Sequence, residues 1–191
     1  MSRILGLPSI RSAASFAGGA IIALVGSRLL PPLMAQLRGA RSVEEGGDPL
    51  ASLLLDHRVI MSHLDAMVDS ADSETFVRGQ RLLRLKRRLA AHAMAEEDVV
   101  YPTLRAGSDD AESATHLYNE HAEMKVLLYK LEQTPKDEAQ WHVHASGLRS
   151  LVEKHIQQEE EVDFPKLRAA LGDVESVALA SKIEREKALL L

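Results

Sequence analysis

The sequence contains no cysteine. This absence excludes disulfides, thiolate metal sites, iron–sulfur clusters and cysteine nucleophiles. Aromatic residues are few, with one Trp, three Tyr and three Phe, and 46% of the 191 residues are hydrophobic, which favours a helical protein over a β-sandwich. Acidic residues outnumber basic ones, giving a formal net charge of -5, so nucleic acid is not an expected partner.

The first 43 residues differ from the rest in charge, because they hold five arginines and no acidic residue. Within this basic, apolar leader (residues 1–43), residues 12–27 are uncharged, slightly fewer than the roughly 20 that a spanning helix needs. Three interpretations stay open: a membrane anchor or membrane-surface helix, a cleaved signal peptide, and an ordinary extension. A signal peptide is disfavoured because Arg28 interrupts the run and no clean small-x-small cleavage site follows. We therefore expect a cytoplasmic or membrane-associated protein, with the leader as the segment that contacts a membrane or membrane-protein partner.

The rest of the sequence predicts an all-α protein. Apolar residues recur at helical spacing, and Asp48-Pro49 and Thr134-Pro135 are typical helix starts. Short connections between helices of similar length predict an up-down antiparallel four-helix bundle. Pro102 is expected to close its second helix. The predicted divisions are a linker (44–49), the bundle (50–170) and a short C-terminal helix (171–191).

The second and fourth predicted helices carry the same motif. Residues 92–106 (HAMAEEDVVYPTLRA) align without gaps with residues 155–169 (HIQQEEEVDFPKLRA), and eight of the fifteen positions are identical. The helices before them each offer one histidine, His57 at 35 residues before His92 and His121 at 34 residues before His155. The body is therefore two copies of one unit, a helix with one inward histidine followed by a helix with His-x-x-x-Glu.

Residues at positions i and i+4 lie on one helix face, so each His-x-x-x-Glu motif points two ligand side chains at the same place. All four histidines continue apolar stripes and are expected to converge, with two carboxylates, inside the bundle. Burying two anions there without compensation costs several kcal/mol, which a pair of metal cations would offset. Imidazole and carboxylate ligands favour iron, with manganese or zinc less favoured. The predicted ligands are His57, His92, Glu96, His121, His155 and Glu159, with Glu97 and Glu160 as second choices for the bridging carboxylates.

These motifs resemble the hemerythrin-like proteins of the HHE cation-binding domain family. The resemblance covers about residues 50–168, including Asp56-His57, Glu120-His121 and the two His-x-x-x-Glu-Glu segments that end in Tyr101-Pro102 and Phe164-Pro165. It implies an up-down four-helix bundle that holds an oxo- or hydroxo-bridged di-iron centre. It also implies a function in binding or sensing dioxygen, in iron sensing, or in handling peroxide or nitric oxide.

The sequence departs from the oxygen-carrying members of that family at two positions. Leu117 stands where they place a second histidine in the third helix, and the last helix has His-x-x-x-Glu instead of a His-x4-Asp spacing. Reversible oxygen carriage is therefore disfavoured relative to redox chemistry or sensing. Two alternatives stay open: an iron-responsive binding or assembly module that engages a protein partner, and a metal-free helical scaffold. The spacing of the ligand residues does not show whether the protein turns over a substrate or only binds a ligand.

Several other residues are given structural roles. Tyr101 and Phe164 are expected to seal one end of the bundle, and His144 to lie at an end of the core. The remaining histidines and the basic run of the second helix are expected to be solvated; these are His63, His116, His142, Arg78, Arg81, Arg84, Lys86, Arg87 and Arg88.

Overall fold

The computed structural model describes residues 30–108 and 111–190. Within these ranges the chain is helical and contains no strand, which confirms the predicted all-α class. The uncharged run at residues 12–27, for which a membrane anchor or membrane-surface helix, a cleaved signal peptide and an ordinary extension are the three open interpretations, lies outside the described residues. Within the described ranges, no helix combines the length and the apolar character that crossing a membrane requires.

Two of the bundle helices are continuous through a π-helical turn, in which the backbone hydrogen bonds span five residues instead of four. We name these turns π1 and π2. The elements are α1 (30–44), α2 (Ala51–Val68), α3 (Thr75–Ala95), π1 (Glu96–Val100), α4 (Tyr101–Ser108), α5 (Ala111–Gln133), α6 (Ala139–Gln158), π2 (Glu159–Asp163), α7 (Phe164–Ala170) and α8 (Asp173–Ala188). The bundle consists of α2, α3-π1-α4, α5 and α6-π2-α7. In it α2 packs on α3 and α6, and α5 packs on α6 and α4.

The second bundle helix continues beyond Pro102, where the sequence predicted its end. The N–H of Tyr101 donates to the carbonyl of Glu96, which closes π1, and Pro102 then lies in the first turn of α4. Proline has no N–H to donate, and its place directly after the widened turn of π1 is where the regular pattern of helical hydrogen bonds is already interrupted. Pro165 has the same place after π2. The π-helical turn therefore explains why a proline that normally ends a helix does not do so here.

The apolar core forms two clusters of buried residues. One holds Leu53, Val100, Leu117 and Phe164, and the other holds residues such as Ile60 and Trp141. Each site histidine lies along its helix between a member of one cluster and a member of the other, as His57 does between Leu53 and Ile60. Each fully buried aliphatic side chain stabilises the fold by roughly 1.5–3 kcal/mol, so the histidines are fixed between two well-packed layers.

Two further helices cover the bundle. α8 packs on α3 and π1, and α1 packs on α8 at Gly39. A Cβ atom at Gly39 would lie 2.6 Å from the carbonyl oxygen of Ala180, so glycine permits this close approach. Because α8 packs on π1, it lies directly against the turn that carries Glu96.

Arg78 is buried, contrary to the prediction that the whole basic run is solvated. Its side chain is 1% exposed, and its guanidinium donates to the hydroxyl of Ser70 at 2.8 Å and to the carbonyl of Ser70 at 2.7 Å. It also forms an ion pair with Asp72 at 2.9 Å and lies 4.6 Å from the centre of the Trp141 ring. These contacts satisfy the buried cation, so Arg78 closes the end of the bundle that holds Trp141.

Candidate metal centre

The six residues predicted as metal ligands lie together in the middle of the bundle. Each is at most 3% exposed. They form two overlapping groups that share Glu96, and within each group the candidate ligand atoms lie within 4.8 Å of one another. The first group is His57, His92, Glu96 and Glu159, and the second is Glu96, His121 and His155.

The two glutamates lie between the four imidazole rings. Glu96 Oε1 is 3.0 Å from Nε2 of His92, and Glu96 Oε2 is 3.4 Å from Nε2 of His121. Glu159 Oε2 is 3.2 Å from Nε2 of His57 and 3.4 Å from Nε2 of His155. Each carboxylate thus has its two shortest contacts with one histidine from each half of the duplication, as a bridging carboxylate would, and Glu96 Oε1 also lies 3.8 Å from Nε2 of His57.

Every site histidine also faces a second carboxylate with its other ring nitrogen. The distances from Nδ1 are 2.7 Å for His57 to Glu160, 3.7 Å for His92 to Asp56, 2.9 Å for His121 to Glu97 and 3.0 Å for His155 to Glu120. For His57, His121 and His155 the outer carboxylate accepts from Nδ1–H, so the neutral form of each ring has its lone pair on Nε2, which faces inward. This is the tautomer that binds a metal.

The outer carboxylates follow the duplication. Glu97 and Glu160 come directly after the two central glutamates, and they orient histidines instead of entering the centre. Glu120 comes directly before His121, yet it contacts His155 of the next helix. The spacing of the motifs predicts no contact for Asp56 or Glu120, although the place of these two acidic residues directly before His57 and His121 was a signal of a shared role.

Tyr101 lies within the centre, contrary to the prediction that it only seals the bundle end. In a regular α-helix Tyr101 would be rotated about 140° from Glu96, but π1 brings these two residues onto the same side. The Tyr101 hydroxyl donates to Glu159 Oε1 at 2.9 Å and lies 3.1 Å from Nε2 of His121. One signal in the sequence pointed to a special role for Tyr101. In the aligned repeats it pairs with Phe164, from which it differs only by its hydroxyl.

Phe164 occupies the matching position after π2. Its ring stacks on His57, with 5.8 Å between centroids and an angle of 11° between the planes. Leu117 stands where the oxygen-carrying members of the family have a further histidine, and it is fully buried in the apolar core. The centre is therefore closed on this side by hydrocarbon, apart from the hydroxyl of Tyr101.

The charges of the centre are strongly coupled. Burial by itself would lower the pKa of His57, but the carboxylates of Glu159 and Glu96, 3.2 and 3.8 Å from its Nε2, raise it to about 10. Burial likewise opposes the charged form of His121, yet contacts with Glu96 and Glu97 raise its pKa to about 9. The surrounding imidazoles hold the pKa of Glu96 well below its usual range, against the effect of burial. In the absence of a cation, protons on the histidines therefore balance the carboxylates.

The centre fits a metal cation because several buried atoms lack a hydrogen bond of good geometry. Four of them face inward, namely His57 Nε2, both carboxylate oxygens of Glu96 and Oε2 of Glu159, whereas His92 Nδ1 and Asp56 Oδ2 lie on the outer side of the centre. Leaving such atoms unsatisfied costs roughly 1–3 kcal/mol each, and more for charged groups. All four atoms carry lone pairs that suit a cation, and their convergence is the arrangement that a metal ion satisfies.

Two cations, Arg88 of the bundle helix α3 and Lys187 of α8, contact the carboxylate that faces His92. Lys187 of α8 is 7% exposed, and its ammonium is 2.6 Å from Oδ2 of Asp56. Arg88 donates to the other oxygen of Asp56 at 2.9 Å. Burial opposes ionisation of Asp56, but its contacts with His92 and Lys187 lower its pKa. The carboxylate that faces His92 is therefore held ionised by α8, a helix outside the duplicated unit.

The other four histidines lie outside both groups. His116 and His142 are exposed, as expected, and His63 and His144 are half-buried. His116 lies 3.1 Å from Glu120, on the outer side of that carboxylate. It therefore does not replace the histidine whose position Leu117 occupies.

Comparison with known proteins agrees with this geometry. A match to the hemerythrin HHE cation binding domain family covers residues 33–167, and the chain belongs to this family. The family match begins within α1, a segment that the sequence analysis assigned to the leader. Membership identifies a metal-binding helical bundle.

Two relatives show how far the similarity extends. An uncharacterised hemerythrin-like protein of Schizosaccharomyces pombe is 31% identical over 138 residues, which cover 71% of this chain and 67% of the relative. A protein described as a DNA nickase, from a Nostoc species, is 30% identical over 106 residues, which cover 54% of this chain but only 29% of that protein. No solved structure matches the chain significantly.

Proposed function

We propose that this chain is a non-haem di-iron protein that binds or senses dioxygen, peroxide or nitric oxide. His57, His92, Glu96, His121, His155 and Glu159 would hold the metal. The observation that carries the proposal is the convergence of four inward Nε2 atoms on two fully buried glutamates. Nitrogen and oxygen donors without thiolate favour iron over softer metals. When bound, two irons would supply one-electron redox chemistry and positions that accept a small oxygen- or nitrogen-containing ligand.

The outer carboxylates keep the histidines ready for this role. Glu160, Glu97 and Glu120 contact Nδ1 of three histidines at 2.7–3.0 Å, so those rings cannot turn without breaking a charge-assisted contact. Such outer contacts typically change metal affinity by about 10- to 100-fold. The donors are therefore oriented before a metal arrives.

The Tyr101 hydroxyl has two effects on the centre. Burial, followed by the charges of Glu159 and Glu96, raises the pKa of Tyr101 well above its usual value, so the phenol keeps its proton. It can therefore donate to Glu159 Oε1 and leave Oε2 of that residue directed at His57 and His155. The hydroxyl also fills space that water would otherwise enter, between apolar side chains that exclude solvent.

The experiment is a metal count combined with an optical spectrum. Protein purified from cells grown with iron is expected to contain about two irons per chain and to absorb in the near ultraviolet, as carboxylate- and oxygen-ligated ferric ions do. Addition of nitric oxide or peroxide to the reduced protein should change that spectrum. A His142→Gln variant serves as the control, because His142 is exposed and lies outside both groups.

Each result separates the hypotheses. Protein that takes up no iron, under conditions in which it is folded, would contradict the proposal. Protein that holds iron but whose spectrum is indifferent to dioxygen, peroxide and nitric oxide would favour the iron-responsive binding module instead. Iron content that is equal in the control and in a His121→Gln variant would show that the metal lies elsewhere.

A further inference from the structure

An apolar cavity of about 180 Å³ opens beside the candidate metal centre, between α3 and α5. These two helices pack less closely than the other neighbouring pairs of the bundle. Two of the residues that α3 contributes to the lining of the gap, Ala90 and Ala93, have small side chains. Small side chains at facing positions leave space that larger ones would fill.

The lining of the cavity changes from its floor to its mouth. The floor includes His92, His121 and His155, which are buried. Met124 and Val152 form buried apolar walls, and the mouth includes the exposed residues Ala90 and Lys125. The cavity therefore connects the protein surface with three of the four site histidines.

Its size exceeds what a diatomic ligand needs. An apolar cavity of about 150 Å³ stays dry and binds benzene or xenon. The cavity described here is somewhat larger and is lined almost entirely by hydrocarbon, apart from the three histidines and two lysines. Its volume therefore fits an organic molecule of about six to eight non-hydrogen atoms.

The charges at the mouth favour an uncharged occupant. Lys86 is paired with Glu132 at 2.7 Å, and Lys125 is paired with Glu97 at 2.7 Å. Each ammonium thus already has an anion, and an incoming carboxylate would have to compete with it. Exposed pairs of this kind contribute only about 0–1 kcal/mol, so they can separate to admit a ligand.

We propose that this cavity is a binding site for a small, uncharged, apolar organic molecule, which is held with one end against His92, His121 and His155. This site goes beyond the proposed function, because its walls and floor are protein side chains and its ligand does not have to bind to a metal. Burial of the apolar surface of the ligand drives binding, and this term does not require a metal.

The test is titration of the full chain with benzene, with xenon and with benzoate, followed by protein NMR. For the iron-containing protein, binding is measured as an increase in the melting temperature. For the chelated protein, it is measured as changes in NMR chemical shifts. We expect saturable binding of benzene in both forms, with shifts grouped on α3, α5 and α6. Benzoate is expected to bind at least roughly tenfold more weakly, because its charge loses hydration in the cavity.

Two filling variants and one matched control locate the ligand. Ala93→Phe and Leu128→Trp place an aromatic ring in the cavity from α3 and from α5, and each should weaken benzene binding at least roughly tenfold. Ala122→Phe adds the same ring to an exposed position of α5 outside the cavity, and it should leave binding unchanged. Circular dichroism confirms that each variant is folded, and if one filler fails to fold, the other carries the test.

Several outcomes would overturn the proposal. Binding of xenon without benzene would make the cavity a passage for gases only. Benzene binding that both folded fillers leave intact would place the ligand elsewhere. Because chelated protein is also titrated, a failure of iron binding does not affect this result, and the two proposals fail independently.

Discussion

Without metal, this protein is expected to lose stability as the pH rises from about 7 to about 10. The pKa of His57 is about 10 and that of His121 about 9 in the folded chain, against 6.5 for an unperturbed histidine. A pKa raised by folding means that the folded state holds its proton more tightly than the unfolded state. The resulting stabilisation is complete below about pH 6.5 and disappears as the pH passes through the folded-state pKa values.

The magnitude follows from about 1.4 kcal/mol per pKa unit. On that scale, protonation of His57 contributes on the order of 5 kcal/mol and that of His121 on the order of 3 kcal/mol. Both histidines depend on Glu96, so the joint contribution is smaller than the two values taken separately. A loss of several kcal/mol in a chain of this size lowers the melting temperature by roughly 10 °C.

Bound metal should remove this pH dependence. A cation takes the place of the protons between the imidazoles and the carboxylates, and metal affinity rises with pH because fewer protons compete. Thermal unfolding of chelated and iron-containing protein at several pH values is the assay. The chelated protein should become less stable above about pH 8, whereas the iron-containing protein should not.

Two variants check the assignment of this effect. His57→Gln should flatten the curve of the chelated protein, while His142→Gln should leave its slope unchanged because His142 is exposed. Parallel curves for the chelated and iron-containing forms would refute the reasoning. So would chelated protein that is as stable at pH 10 as at pH 7.

Three substitutions test other parts of the site. Glu96→Gln should reduce iron from about two ions per chain to less than about one, by elemental analysis, because Glu96 belongs to both groups of ligands. Tyr101→Phe should lower the free energy of unfolding of the chelated protein by about 1–3 kcal/mol in urea, because a buried carboxylate loses its donor. Lys187→Met should lower it by roughly 3 kcal/mol in the same assay, because Asp56 loses one of its two cations.

Each of these substitutions has a matched control. Glu97→Gln should keep the iron count and weaken affinity about 10- to 100-fold, because among the six candidate ligands Glu97 contacts His121, at its outer nitrogen. Tyr129→Phe and Lys182→Met change exposed residues and should alter stability by less than about 0.5 kcal/mol. Equal effects in a variant and its control would contradict the assigned contact.

The duplicated spacing predicted the centre because it depends only on regular helix geometry. Positions i and i+4 share a face in any α-helix, so His92 with Glu96 and His155 with Glu159 were placed without knowledge of the packing. The assumption of regular helix geometry also meant that the position of Tyr101 within the centre was not predicted. A π-helical turn changes the angle per residue over five positions, and no apolar periodicity in the sequence marks it.

Contacts between side chains of different helices could not be predicted from the sequence, because they depend on how the helices pack. Lys187 lies far along the chain from Asp56, and only the packing of α8 on α3 brings them together. Arg78 belongs to a basic run whose other members are half-buried or exposed, and its burial against Trp141 and Ser70 is a result of tertiary packing. Such contacts depend on tertiary structure and leave no local pattern.

The single hydroxyl that separates Tyr101 from Phe164 has a consequence for the order in which cations enter. The two halves of the bundle are copies in sequence, and a fully symmetric centre would offer two equal positions. Here the Tyr101 phenol contacts His121 directly and reaches the group with His57 only through Glu159, whereas the Phe164 ring stacks on His57. The first and second equivalents of metal therefore meet different surroundings, and a titration should resolve two binding steps instead of one.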